Sequence, residues 1–204
     1  MANELLYYIP AGQYGKEGVL ALLEQHPEIK FVSLVGIDLA GNDTDEKIPM
    51  SAFFDDYESF FEGRAVQTDG SSVVLTDIAT LNNARVDMWG DPSVNWFVDY
   101  NYENIDEATG LPTGTLRIPA FLMHNYKYVD SRAILKRSCG FVRDQLLSLV
   151  KEHGLKSMPH INVDDIADIV FTSATELEFW VKTPSKTVTK KELSVSQRLQ
   201  EQYW

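Results

Sequence analysis

The run Phe31-Val32-Ser33-Leu34-Val35-Gly36-Ile37-Asp38 leads through Leu39 into Ala40-Gly41-Asn42-Asp43 and then Glu46-Lys47-Ile48-Pro49. The first run has the apolar, β-branched character of a buried strand, the second has turn chemistry, and the third reads as the hairpin partner. Ser51 stands where it can cap a helix, and Phe53, Phe54, Tyr57, Phe60 and Phe61 recur at helical spacing up to Gly63. That aromatic stripe is expected in the core, because helical spacing alone accounts for it.

Ahead of the hairpin, Pro10-Ala11-Gly12-Gln13-Tyr14-Gly15-Lys16 has the outline of a phosphate loop without its spacing. Four residues should part the two glycines, and a Ser or Thr should follow the lysine where Glu17 stands. Val19, Leu20, Leu22 and Leu23 form the stripe of a short helix that stops near His26-Pro27. Beyond the aromatic helix, Gln67-Thr68-Asp69-Gly70-Ser71-Ser72 precedes a β-rich run. There the ordinary reading is a turn in which Asp or Ser bonds back to its own backbone. Residues 87–93 read as a loop, 96–100 as a strand, and 104–114 as a polar excursion. Residues 116–122 return to the sheet, though Pro119 demotes them to an edge or a strand end.

At Asp130-Ser131-Arg132 the pattern changes. Asp130 or Ser131 can cap a helix whose apolar positions are Ile134, Leu135, Phe141, Leu146, Leu149 and Val150, closing at His153-Gly154. This predicts a lead segment over 1–29, a strand-rich domain over 30–127 and the start of a second domain over 128–204. In that last part Ala174-Thr175-Glu176-Leu177-Glu178-Phe179-Trp180 reads as a strand, continuing 168–171. Alternation puts Glu176 and Glu178 on one face with Cα atoms roughly 6.5 to 7 Å apart. Two carboxylates facing one way must meet water, a basic side chain or a hard cation, since burial without a partner costs several kcal/mol. A strand with one wet face is the plain reading, and a divalent-cation site is the functional one. The basic loop over 182–191 and a helix from Ser194 to Trp204 follow, and the apolar end of that helix suggests a longer protein.

Composition excludes several classes. With 204 residues, 44% of them hydrophobic and 11% aromatic, the chain can pack a sizeable core. A net charge of −12 argues against a nucleic-acid surface, which needs a basic footprint. No apolar run reaches the roughly 18 to 20 residues of a membrane span. The N-terminus lacks a secretory pattern and Cys139 is the one cysteine, so a cytoplasmic location is expected. Cys139, within a helical pattern, reads as a small core residue rather than a nucleophile. His26, His124, His153 and His160 have no zinc-ligand spacing.

Taken in order, the Asp69-Gly70-Ser71-Ser72 motif, the Asp130-Ser131-Arg132 helix entry and the Glu176-Leu177-Glu178-Phe179 strand resemble the N-terminal portion of glutamine synthetase, over most of the chain from Phe31 onward. The resemblance implies an α+β chain in which a β-grasp domain precedes the first α/β part of the catalytic domain. It implies a homo-oligomer of stacked rings with active sites shared between subunits. Its activity would be ATP-dependent joining of glutamate and ammonium. Glu176 and Glu178 would be ligands for Mg2+ or Mn2+. Asp69 would bind ammonium and take its proton, with Ser72 lining the same site. The residues 101–114 and the lead segment depart from the commonest members, which points to a divergent branch. The remaining metal ligands, the glutamate site and most of the ATP site would lie beyond Trp204, so the 204-residue chain is expected to be inactive alone. A non-catalytic β-grasp interaction module, or a related ligase using another amine, is the alternative reading.

Overall fold

A computed structural model describes residues 4–75, 80–81, 84–176 and 178–181. The chain divides into two units, Met1–Ile169 and Val170–Trp204. The first opens with a two-residue strand, β1 (Tyr8–Ile9), and helix α1 (Lys16–Glu24). That helix buries Val19 and Leu23 and is capped at Gln25, ahead of Pro27. Strands β2 (Ile29–Ile37) and β3 (Asp43–Pro49) make the expected hairpin, in register from Phe31 opposite Pro49 to Ile37 opposite Asp43.

The aromatic stripe forms two short helices rather than one. These are α2 (Met50–Asp55) and α3 (Tyr57–Phe61), parted at Asp56, whose φ of −138° and ψ of 51° lie outside the helical region. Ser51 is not the cap. Pro49 holds that position without a side-chain hydrogen bond, and its fixed φ starts the turn. The stripe is core as expected: Phe53 and Phe60 are buried with ring centroids 5.0 Å apart. Burying each such side chain stabilises the fold by roughly 1.5–3 kcal/mol.

After β4 (Val66–Asp69) and a one-turn 3-10 helix over Gly70–Ser72 comes β5 (Arg85–Gly90). Most of the stretch expected as a loop over 87–93 is therefore strand. Val86, Met88 and Gly90 are buried, alternating with Arg85, Asp87 and Trp89, a period of two that the charged and glycine residues obscure. Strands β6 (Trp96–Ile105), β7 (Pro112–His124) and β8 (Lys127–Tyr128) follow. Helix α4 (Ser131–His153) and a one-turn 3-10 helix over Val163–Asp165 complete the unit.

Among the described residues eight strands belong to one mixed sheet whose main path is β1-β6-β7-β2-β3, with β5 and β8 also on β7 and β4 on β5. Every pairing is antiparallel except β2 with β7, which run side by side from Phe31 opposite Thr115 to Val35 opposite Pro119. The chain is thus α+β, with β7 at its centre. Pro119 does not mark an edge. It lies where one side of β7 passes from β6, paired up to Arg117, to β5, paired from Ala120. A residue without an N–H loses least at such a change of partner. Val32, Leu34, Val86, Met88, Leu116, Ile118 and Leu122 fill the core around these strands. The segment before residue 30 adds Ile9, Val19, Leu23 and Ile29 to the same cluster.

Among the described residues the expected strand does not form: 170–176 and 178–181 in the second unit, and 168–169 at the end of the first, are not part of a strand. A strand is defined by ladder hydrogen bonds to a neighbour, and β-branched and aromatic composition does not substitute for one. The basic loop and the helix expected over 182–204 lie outside the described residues.

Candidate functional site

Asp69 ends β4 and caps the turn behind it, its Oδ1 accepting the Ser71 N–H at 2.7 Å. The carboxylate is exposed, and the Ser71 hydroxyl and N–H hold it below the usual carboxylate range. Its ladder partner is Arg85, but the Arg85 guanidinium lies 3.1 Å from Asp87 instead. Among the described residues no Lys or Arg forms an ion pair with Asp69. Ser72 is exposed on the same turn. The expected turn therefore forms, and it presents an ionised carboxylate and a hydroxyl to solvent.

Two residues make this turn rigid. Gly70 is buried, and its N–H donates to the Ala84 carbonyl at 2.7 Å. A Cβ at this position would lie 2.2 Å from the Leu81 carbonyl oxygen and 2.9 Å from that of Ala84, so only glycine fits. Asp38, fully buried, ties the hairpin turn to the strand-like segment after Ser72. Its Oδ1 accepts from the N–H groups of Ala40 and Asn42, each at 2.9 Å, and its Oδ2 from Asn42 Nδ2 and the Val74 N–H, each at 3.0 Å. Burial raises the Asp38 pKa, but the bonds from Asn42, Val74 and Ala40 outweigh it and leave the group ionised below its usual range. Sequence reasoning read the turn at 40–43 but missed this clamp. The signal was an Asp two and four residues before backbone donors around Gly41, whose φ is +87°.

The entry to α4 is a second fixed point. Asp130, not Ser131, is the cap: it is fully buried and accepts from the Ala133 N–H at 2.8 Å and the Leu122 N–H at 3.1 Å. Burial pushes its pKa up despite those bonds. Arg132 pairs with Asp91 at 2.7 Å and lies over the Phe121 ring, 4.8 Å from its centroid. Burial raises Asp91 too, but hydrogen bonds from Ser93 and Arg132 prevail and its pKa is lowered. Helix and sheet are thereby locked together at the end of β7.

Asp69 and Ser72 belong to the first unit, and Glu176 and Glu178 to the second. Both glutamates are exposed, as are Phe179, Trp180 and Val181. Oxygen donors of this kind suit a hard dication, and Mg2+ is commonly held by one or two carboxylates together with waters and substrate phosphates. No group of three or more His, Cys, Asp or Glu placed to hold a metal ion occurs among the described residues. A dication here would rest on Glu176 and Glu178 with further donors from elsewhere. No helix among the described residues is long and apolar enough to cross a membrane.

No protein-family model and no curated protein matches the chain. Among solved structures it is similar to "GmaS/ADP complex-Conformation 1", at 16% identity and a TM-score of 0.36, over 59% of this chain and 25% of that one. The chain thus spans about a quarter of that structure's length.

Proposed function

We propose that this chain is the N-terminal part of an ATP-dependent ligase of the glutamine synthetase type, joining ammonium to glutamate. The observation that carries the reading is Asp69: an exposed carboxylate, held ionised, without a paired cation among the described residues, on a turn that Gly70 and Asp38 make rigid. Such a group attracts a small cation and can then accept a proton from it. In this reaction class ATP phosphorylates the glutamate side-chain carboxylate, ammonia attacks that carbon, and phosphate leaves. Only deprotonated ammonia can attack, so one carboxylate serves twice. Ser72, beside it, would hydrogen-bond the ammonium. Glu176 and Glu178 would contribute oxygen ligands to Mg2+ or Mn2+, which would neutralise phosphate charge when bound.

The sheet supports the same reading. A hairpin, then helices, then a strand returning parallel beside the first is the β-grasp order, and β2, β3, α2, α3 and β7 follow it. The proposed assembly is a homo-oligomer in which the Asp69 turn of one subunit completes a neighbour's site. The exposed apolar residues of α4 suit a part of a larger assembly.

The test is glutamine formation from ATP, glutamate and ammonium by the full-length protein that carries this sequence. Glu178→Gln is expected to abolish turnover. Asp69→Ala is expected to raise the KM for ammonium far more than that for glutamate. The isolated 204-residue chain is expected to be inactive. An assembled full-length protein that makes no product with ammonium or any small amine would establish the β-grasp interaction module instead.

A further inference from the structure

The segment that resembles a phosphate loop in outline lines a cavity of about 200 Å³. Pro10 and Tyr14 from that segment, Val19 from α1, Tyr57 from α3, Val94 just ahead of β6 and Trp96 at its start contribute walls. The Ala11 N–H donates to Asn95 Oδ1 at 2.8 Å, which ties the two loops across it.

Three properties define what would fit. First, none of the lining residues is charged. The nearby Lys16 and Glu58 satisfy each other at 3.0 Å, so an ionic ligand would lose its hydration without gaining a counter-charge. Second, the walls carry three aromatic rings, two of them braced from behind. Tyr57 packs on Phe53 and Phe61 at 5.1 and 4.9 Å, and Trp96 stacks on Phe61 at 5.3 Å with planes 13° apart. Third, the Trp96 N–H is already taken by the Asp91 carbonyl at 3.0 Å, which leaves the Tyr14 and Tyr57 hydroxyls as the polar groups among the lining side chains. No hydrogen bond to a described residue engages the Tyr57 hydroxyl, and burial, with the Glu58 charge, keeps it protonated. An apolar cavity of about 150 Å³ holds benzene, and drug-sized sites begin near 300 Å³. The size here lies between them.

We propose that this cavity binds a small, neutral, planar bicyclic aromatic molecule bearing one ring N–H or carbonyl, a site independent of Asp69 and of the ligase reading. The preference for a planar ring over an aliphatic one follows from braced aromatic walls, which reward stacking beyond area alone.

The experiment is an NMR titration of the 15N-labelled chain with indole, with cyclohexanol as the non-planar control. Saturating amide shifts confined to residues 9, 11–14, 19, 57 and 93–96 are expected, with cyclohexanol binding about tenfold more weakly. Val94→Trp, which fills the space, should remove binding. Tyr14→Leu, an exposed change that leaves the core intact, should weaken it about fivefold. Absence of saturating shifts, equal binding of cyclohexanol, or indifference to Tyr14→Leu in a variant with an unchanged spectrum would overturn the proposal.

Discussion

Gly70 and Asp38 show how single residues set a site they do not enter. At Gly70 a methyl group would meet backbone oxygens, which have no rotamer to yield. Gly70→Ala is therefore expected to cost about 2–3 kcal/mol of stability, read as a shift of the urea midpoint at constant slope, because overpacking against fixed atoms costs in this range. An unchanged midpoint would mean that the turn can move and does not fix Asp69. The acidic groups act through pH. Asp38 and Asp91 have folded-state pKa values below their unfolded ones. The stability they contribute is complete above the unfolded pKa, near 4, and is lost as pH falls through the lowered folded values. Asp130 has the opposite sign: its raised pKa favours the folded state when protonated, a contribution lost as pH rises through that value. The net expectation is acid lability below about pH 4, less steep in Asp91→Asn, measured as the urea midpoint between about pH 5 and pH 2. A variant as steep as the parent would show that Asp91 is not among the groups responsible.

At the scale of elements, local pattern predicted some boundaries closely and missed others for identifiable reasons. Helix α4 runs from Ser131 to His153 with Asp130 and Gly154 as its caps, because cap chemistry and a sustained period mark both ends. Strand β5 was obscured, since Asp87, Trp89 and Gly90 look like loop residues until β4 and β7 pair with them. Trp89 shows the same dependence: a Cβ at Gly63 would fall 1.8 Å from its indole nitrogen, a contact between distant residues that no local window contains. Helix α4 also carries an expectation of its own. Leu135, Phe141, Val142, Leu146 and Leu149 are exposed along it, where Ala133 is its one buried residue. The isolated chain should bind a hydrophobic dye through this helix. Replacing Phe141 and Leu149 together by Glu should remove most of that signal while leaving the melting temperature within a few degrees. Undiminished dye binding would place the apolar surface elsewhere.

For the molecule as a whole, the sequence determined what short-range chemistry can encode. The hairpin over 29–49, the aromatic stripe as core, the turn at Asp69 and the long capped helix all follow from side-chain period and from residues with special backbone freedom, each read within a few neighbours. Tertiary structure decided the rest. It placed β7 between β2 on one side and β6 and β5 on the other, turned Pro119 from an edge marker into a change of partner, and bound Asp38 to a backbone N–H thirty-six residues away. Among the described residues it also formed no strand around Glu176 and Glu178. The physical reason is common to all of these. A period of two states that a segment can be a strand, but ladder hydrogen bonds and close backbone contacts exist only when a second, distant segment arrives to make them.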